Sequence, residues 1–368
     1  MKKKKISVCI ALAAFVVLLS ACSSANAIKA VSPFDKETDV AVVNAELSEF
    51  LSKEWTSDLC DSYYEDGWSH YEPCYVNFEW SGEADTFFLS KNADMSNAIQ
   101  YDCNGENFYC RGLNVGATYY WQVAASDKRS DVFSFTTEKA VRTLYIGGVT
   151  NARDMGGWRV YDENGKVCGE IRQDLLFRTA SLDEISPSGK EYLLNDLKIK
   201  TELDLRAETE TFNRSELDGI SYINISCPQY AYSGMGIFEF GNENIKNQTV
   251  AVKEIMSVFA EESNYPIAFH CAIGRDRTGT IAFLLGALCG MSEEDLCREY
   301  DISYFAGLDD SKPSWMHKQA FLPLVNKMKN YSGEKASLAY NTRKYLLDIG
   351  LTQSQIDNIY NILVEKKV

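Results

Sequence analysis

The chain is short of histidine, proline and positive charge. Three histidines occur in 368 residues, His70, His270 and His317, which argues against a His-rich zinc enzyme and leaves few bases for a Ser-His-Asp hydrolase. Seven prolines and 23 glycines exclude collagen-like or low-complexity character. Lys and Arg number 37 against 52 Asp and Glu, a net charge of -15. General nucleic-acid binding needs a basic surface, so no nucleic-acid partner is expected. Past the amino terminus, no stretch approaches the roughly 18 consecutive apolar residues of a membrane-spanning helix. What is present is 45% hydrophobic and 24% charged, too apolar for disorder as the main state. At roughly 100–200 residues per domain, the length suggests two domains.

The amino terminus reads as an address. Lys2 to Lys5 form a basic start, and Ile6 to Leu19 are nearly all apolar or small, the form of a signal-peptide core. Leu19-Ser20-Ala21-Cys22 resembles a bacterial lipobox. That resemblance implies cleavage before Cys22, lipidation of Cys22 and an extracytoplasmic, lipid-anchored protein. An ordinary secretory signal cut near Ala27 is the plainer alternative. In an oxidising compartment the remaining cysteines need an account. Cys60, Cys74, Cys103 and Cys110 are even in number and would allow two disulfides in three pairings, or stay as buried thiols.

Composition changes along the chain. Residues 1–21 form the leader and 22–36 a small, polar tether. Residues 37–138 carry short aromatic and β-branched runs between turn signals, at 74–80, 86–90, 107–110, 118–123 and 132–136. Alternation of Val76, Phe78 and Trp80 with Tyr75, Asn77 and Glu79 has the period of a half-buried strand. The expectation is an all-β sandwich, and 113–137 resembles the closing strands of a fibronectin type III module. The aromatics from Trp55 to Trp80 read either as a platform for a glycan or protein ligand or as packed core, the plainer reading.

From 139 to 368, strands alternate with amphipathic helices. Thr143–Ile146, 199–205 and 266–270 read as strands; 250–260, 278–288 and 353–364 read as helices, with Ser292 opening another. The expected fold is an α/β domain with a central, mainly parallel sheet flanked by helices.

Between a buried strand and an apolar helix lies His270-Cys-Ala-Ile-Gly-Arg-Asp-Arg-Thr-Gly279. Such a loop gathers backbone N–H groups at a helix N-terminus, a cradle for phosphate. The expected phosphate contacts come from Ala272, Ile273, Gly274, Arg275 and Thr278. Dipoles and arginines favour the thiolate of Cys271, and the planar fork of Arg277 suits two phosphoryl oxygens. Cys-x5-Arg alone is a weak signal. With His270, Gly274, Thr278 and Gly279 in a strand–loop–helix setting it becomes specific.

These residues resemble the signature of cysteine-dependent protein tyrosine phosphatases. Asp276 beside the arginine narrows the likeness to the bacterial tyrosine phosphatase-like family, with its secreted mycobacterial and listerial enzymes of dual protein and phosphoinositide activity. Asn151-Ala-Arg-Asp-Met-Gly-Gly157, Phe177-Arg-Thr-Ala-Ser181, Asp204-Leu-Arg206 and the segment 345–352 are similar to further motifs of that family. The resemblance covers about 143–365. It implies Cys271 as nucleophile, Arg277 as phosphate clamp and Asp276 as general acid, with a phosphorylated protein, phosphoinositide or inositol phosphate as substrate. The chemistry calls for no metal and no organic cofactor, because loop amides and Arg277 supply the positive field.

Two departures stand out. Arg275 replaces the family's usual Lys, with a larger and differently aimed fork. No Trp-Pro-Asp tripeptide occurs, which is consistent with Asp276 as the acid; Glu239 or Glu243 is the alternative. His270 is expected to brace the loop, with Asp204 in support; Arg153 and Asp154 either touch substrate or brace the fold as a pair, and Arg178 and Arg206 either face phosphate or hold the structure. Cys227, Cys289 or Cys297 would either pair with Cys271 or sit in the core, the plainer reading. Rival functions are a phytase-like inositol-polyphosphate phosphatase and a surface adhesin with a vestigial phosphatase domain. Intact Cys271, Asp276 and Arg277 speak against the adhesin.

Overall fold

A computed structural model describes residues 28–63, 71–126, 128–207, 214–215, 217–227, 237–238, 246–307, 313–333 and 336–367. The leader, Cys22, His70, Glu239 and Glu243 lie outside the described residues. Among those described, no helix is long and apolar enough to cross a membrane.

Seven strands make the first sheet: β1 (Lys29–Ser32), β2 (Glu37–Val40), β3 (Val76–Ser90), β4 (Ile99–Cys110), β5 (Thr118–Ala125), β6 (Lys128–Arg129) and β7 (Phe133–Thr137). Their order is β1-β3-β5-β7-β2, with β4 added to β3 and β6 to β5. Helix α1 (Ala45–Ser52) follows β2 and is capped by the Asn44 side chain. The runs at 74–80 and 86–90 are two halves of one strand. Register shifts between Glu79 and Thr86 interrupt β3, and such bulges bend a strand. One edge of β3 pairs with β4; the other pairs first with β1 and then with β5. Phe78, in the first half, packs against Trp121 of β5 and Phe135 of β7 with ring centroids 5.5 Å away in each case. Val76, Phe78 and Trp80 are buried while Asn77 and Glu79 are half-buried, the alternation expected.

Two expectations shift here. Lys29–Ser32, read as tether, is an edge strand held by pairing to β3 rather than by any apolar pattern. The nine described cysteines, including Cys60, Cys74, Cys103 and Cys110, are all free thiols.

The second sheet has the order β13-β12-β14-β11-β8. Strands β11 (Leu176–Thr179), β12 (Thr201–Asp204), β13 (Ser221–Asn224) and β14 (Ile267–His270) are parallel, and β8 (Arg153–Asp154) closes one edge antiparallel. A small sheet of β9 (Arg159–Tyr161), β10 (Val167–Ile171) and β15 (Val364–Lys366) lies apart. The helices are α2 (Pro187–Glu191), α3 (Lys246–Phe259), α4 (Asp276–Cys289), α5 (Glu293–Asp301), α6 (Pro313–Met316), α7 (Leu322–Lys329), α8 (Leu338–Asp348) and α9 (Gln353–Leu363). The mainly parallel α/β architecture is therefore as expected. Thr143–Ile146 makes only single bridges, Thr143 to Arg153 and Ile146 to Val149. The glycine pair after it turns Val149 straight back onto the Ile146 carbonyl.

Helix α4 is buried along nearly its whole length, as expected of a helix that is apolar all round. Gly290 ends it in the left-handed region at φ 95°, and Ser292 caps α5 through the Asp295 N–H at 3.1 Å. One apolar cluster runs from Val42, Phe50 and Phe78 through Phe269 and Leu284 to Ile359, so the two sheets share a core. Phe78→Ala is expected to cost about 3–5 kcal/mol in urea unfolding.

Candidate active site

The loop from Cys271 to Arg275 joins β14 to α4. Its carbonyls are held from outside. The Cys271 oxygen lies 3.2 Å from His270 Nδ1. The Ala272 oxygen accepts from Ser181 N at 2.9 Å, the Ile273 oxygen from Asn151 Nδ2 at 2.9 Å, and the Gly274 oxygen from Arg178 Nη2. A planar trans peptide points its N–H opposite its C=O. Outward carbonyls therefore turn the amides of Ala272, Ile273, Gly274 and Arg275 inward, beside the N-terminus of α4. That is an anion cradle. Gly274 has φ 71°, and a Cβ there would stand 2.2 Å from the Thr179 carbonyl oxygen. Only glycine fits.

Behind the loop lies a buried ionic layer. Glu299 of α5 takes Arg153 Nε at 2.8 Å through Oε1 and Arg178 Nη1 through Oε2. Burial and the nearby Arg153 pull the Arg178 guanidinium down to about 10, against the attraction of Glu299. Arg153 also donates to Asn151 Oδ1 at 2.6 Å, the residue that holds the Ile273 carbonyl. Arg153 and Asp154 do not brace each other. They are adjacent on a strand and face opposite ways: Asp154 accepts from Arg142 Nη1 at 3.0 Å and from Gly156 N at 2.8 Å.

His270 ends β14, its Nε2 3.1 Å from Glu202 Oε1. Arg206 is bound to Asp204 at 2.8 Å and to Asp183 at 2.7 Å. Burial pushes the Asp204 carboxyl up, but its bonds from Arg206 outweigh that and hold it below the ordinary carboxylate range. This group stiffens the end of β12.

Cys271 is 2% exposed and Arg277 4%. Thr278 Oγ1 is buried with no hydrogen-bond partner among the described residues. Asp276 opens α4, and its carboxylate accepts from Arg275 Nε at 3.0 Å and from the Tyr300 hydroxyl at 3.4 Å. The Arg275 guanidinium, a candidate phosphate contact, is buried against Asp276 and lies 5.5 Å from the Tyr304 ring centre. Its inward-facing contribution to the cradle is its backbone amide. Cys227 is a buried thiol near Arg277 and Cys271, pushed up to about 11 by burial. Cys289 and Cys297 are core residues.

The site thus joins residues that sequence reading singled out, His270 to Thr278 with Arg153 and Arg178, to others it missed. Glu299, Tyr300 and the side chain of Asn151 were not read as site residues. Asn151 stood in a quoted motif; Glu299 was masked by the acidic start of its helix.

Gly274→Ala is expected to abolish binding of inorganic phosphate by calorimetry, because the loop cannot keep its path. Asn151→Ala should weaken that binding about tenfold, the loss of one buried hydrogen bond to the cradle. Retained affinity in Gly274→Ala would contradict the geometry.

The known proteins that this chain resembles include phosphatases. A Nostoc commune tyrosine-protein phosphatase is 26% identical over 146 residues, 36% of this chain and 49% of that protein, so the match spans about half the relative's length. Among solved structures, the core catalytic domain of the PP-IP phosphatase SIW14 from S. cerevisiae, in complex with citrate, shares 17% identity. That likeness covers 44% of this chain and 93% of that one at a TM-score of 0.27. P. aeruginosa TpbA in complex with pTyr shares 16%, over 43% and 86%, also at 0.27. The model of the tyrosine phosphatase family matches residues 144–365, more than half of the chain and the whole of the cradle loop, and the protein belongs to that family.

Proposed function

We propose that the protein is a cysteine-dependent phosphomonoester hydrolase of protein tyrosine phosphatase type. The observation that carries this reading is the row of loop carbonyls held outward around a buried cysteine, with Arg277 and Asp276 on the helix that follows. Cys271 Sγ attacks phosphorus in line. The P–O bond to the leaving group breaks, its electron pair stays on that oxygen, and Asp276 delivers the proton. Water then attacks the phosphocysteine and gives a proton to the Asp276 carboxylate. The S–P bond breaks, restoring the thiolate and releasing inorganic phosphate. The inward amides and Arg277 stabilise the added negative charge in both steps. Thr278 Oγ1, buried and without a partner among the described residues, supports a role as donor to the departing thiolate. Arg275 and Tyr300 fix the Asp276 carboxylate at the helix start.

The substrate class is a phosphoprotein with phosphotyrosine, with phosphoinositides as a second class. The seven-stranded N-terminal sheet is read as a fibronectin type III-like module. Lys2 to Lys5, the apolar run and Leu19-Ser20-Ala21-Cys22 support a lipidated, extracytoplasmic protein.

Cys271→Ser is expected to abolish release of p-nitrophenol from para-nitrophenyl phosphate, and EDTA to leave the wild-type rate unchanged; full activity in the variant would sink the mechanism. In kcat/KM, which covers the steps up to formation of the phosphocysteine, Asp276→Asn should cost little on para-nitrophenyl phosphate, whose leaving group needs no proton. On phenyl phosphate it should cost about 10²–10⁴-fold in kcat/KM. Equal losses on both substrates would remove Asp276 as the acid.

A further inference from the structure

The family match begins at residue 144, yet the support of the cradle takes a side chain from far outside it. Arg153 is completely buried and has five N–H donors. All five are engaged. Nε bonds Glu299 Oε1 at 2.8 Å; Nη2 bonds the Glu299 carbonyl at 2.7 Å and Ser303 Oγ at 3.2 Å; Nη1 bonds Asn151 Oδ1 at 2.6 Å and the Tyr71 hydroxyl at 3.2 Å. Tyr71 lies between α1 and β3 and is itself buried.

The same N-terminal stretch grips α5 and the turn after it at several further points. Trp55 Nε1 donates to Asp301 Oδ2 at 2.9 Å, and the other oxygen of Asp301 lies 2.6 Å from His317 Nδ1. Arg298 Nη2 donates to the Lys53 carbonyl. Phe50 and Tyr63 pack their rings on Phe305 at 5.1 and 5.7 Å. Asp61 takes both the N–H and the hydroxyl of Ser314. Helix α5 carries Glu299 and Tyr300, which hold the two arginines and Asp276.

We infer that Tyr71 is a positioning residue of the phosphatase site, completing from the N-terminal part of the chain the network that aims the cradle. The inference rests on the Cys271 reading above. The route runs from the Tyr71 hydroxyl to Arg153, from Arg153 to Asn151, and from Asn151 Nδ2 to the Ile273 carbonyl. Phenylalanine at 71 keeps the ring and removes the acceptor. One buried guanidinium N–H then has no partner, a costly state for a charged group. Nη1, which also holds Asn151, turns to find another, and Asn151 shifts with it. The Ile273 carbonyl loses its donor, and the Gly274 amide on the same peptide plane loses its aim at the phosphoryl oxygen.

The test is a double-mutant cycle in the full chain, with Tyr71→Phe, Asn151→Ala and the pair. Two constants are read, kcat/KM on para-nitrophenyl phosphate and the competitive inhibition constant of vanadate, each per competent site counted by vanadate titration. Tyr71→Phe is expected to lower kcat/KM and vanadate affinity about 3–10-fold each, the scale of one lost hydrogen bond. Added to Asn151→Ala, it should change either constant by less than about twofold, because both act through one carbonyl. Counting sites keeps the readout decisive if the variant folds in poor yield. Unchanged constants per site, or losses that multiply in the pair, overturn the inference. Activity surviving in Cys271→Ser would overturn the underlying reading instead.

Discussion

Consecutive backbone carbonyls, from Cys271 to Gly274, are pulled away from the space they surround, and three of the four donors that pull them come from distant parts of the chain. His270 precedes the loop on β14, Ser181 follows β11, Asn151 precedes β8, and Arg178 lies on β11. A peptide plane cannot turn its carbonyl out without turning its amide in. The parallel sheet sets β11 beside β14 in register, Thr179 against His270, so the donors sit level with the loop. A phosphoryl group placed there would meet dipoles already oriented before it arrives, the preorganisation that an electrostatic catalyst needs.

Burying two guanidinium groups under a loop is expensive unless each is paired and hydrogen-bonded. Glu299 meets both, one oxygen to each. Its helix, α5, is packed against the segment that leads from the N-terminal sheet into β3. The N-terminal sheet and the α/β part therefore share both an apolar core and a buried polar network. The first part of the chain is better described as a built-in buttress than as a passenger on a tether. Its acidity fits the same picture, since residues 23–138 hold 7 basic and 20 acidic side chains, leaving most arginines to the α/β part.

Local chemistry was legible in the sequence, and long-range support was not. The segment 270–279 could be read because strand, cysteine, glycine and arginine follow one another within ten residues. The helices at 278–288 and 353–364 were legible from apolar spacing, and β14 from its short apolar run. Arg153 and Asp154 invited the idea of mutual pairing, but neighbours on a strand look opposite ways. The aim of Arg275 could not be read either, since Tyr304 and Asp276 claim it only once α4 and α5 are packed. Glu299 is indistinguishable in sequence from the other carboxylates of α5, and Tyr71 from the other aromatics between Trp55 and Trp80. Lys29–Ser32 has no strand pattern of its own, because an edge strand of four residues needs only a partner.

The account stands or falls on covalent attack by Cys271. The direct measurement is acid quenching of the Asp276→Asn enzyme during turnover of para-nitrophenyl phosphate, followed by mass spectrometry of the peptide that carries Cys271. The account predicts that this peptide gains one phosphoryl group and loses it on standing in buffer before the quench. A turning-over enzyme with no phosphoryl group on Cys271, or with it on another residue, would contradict it.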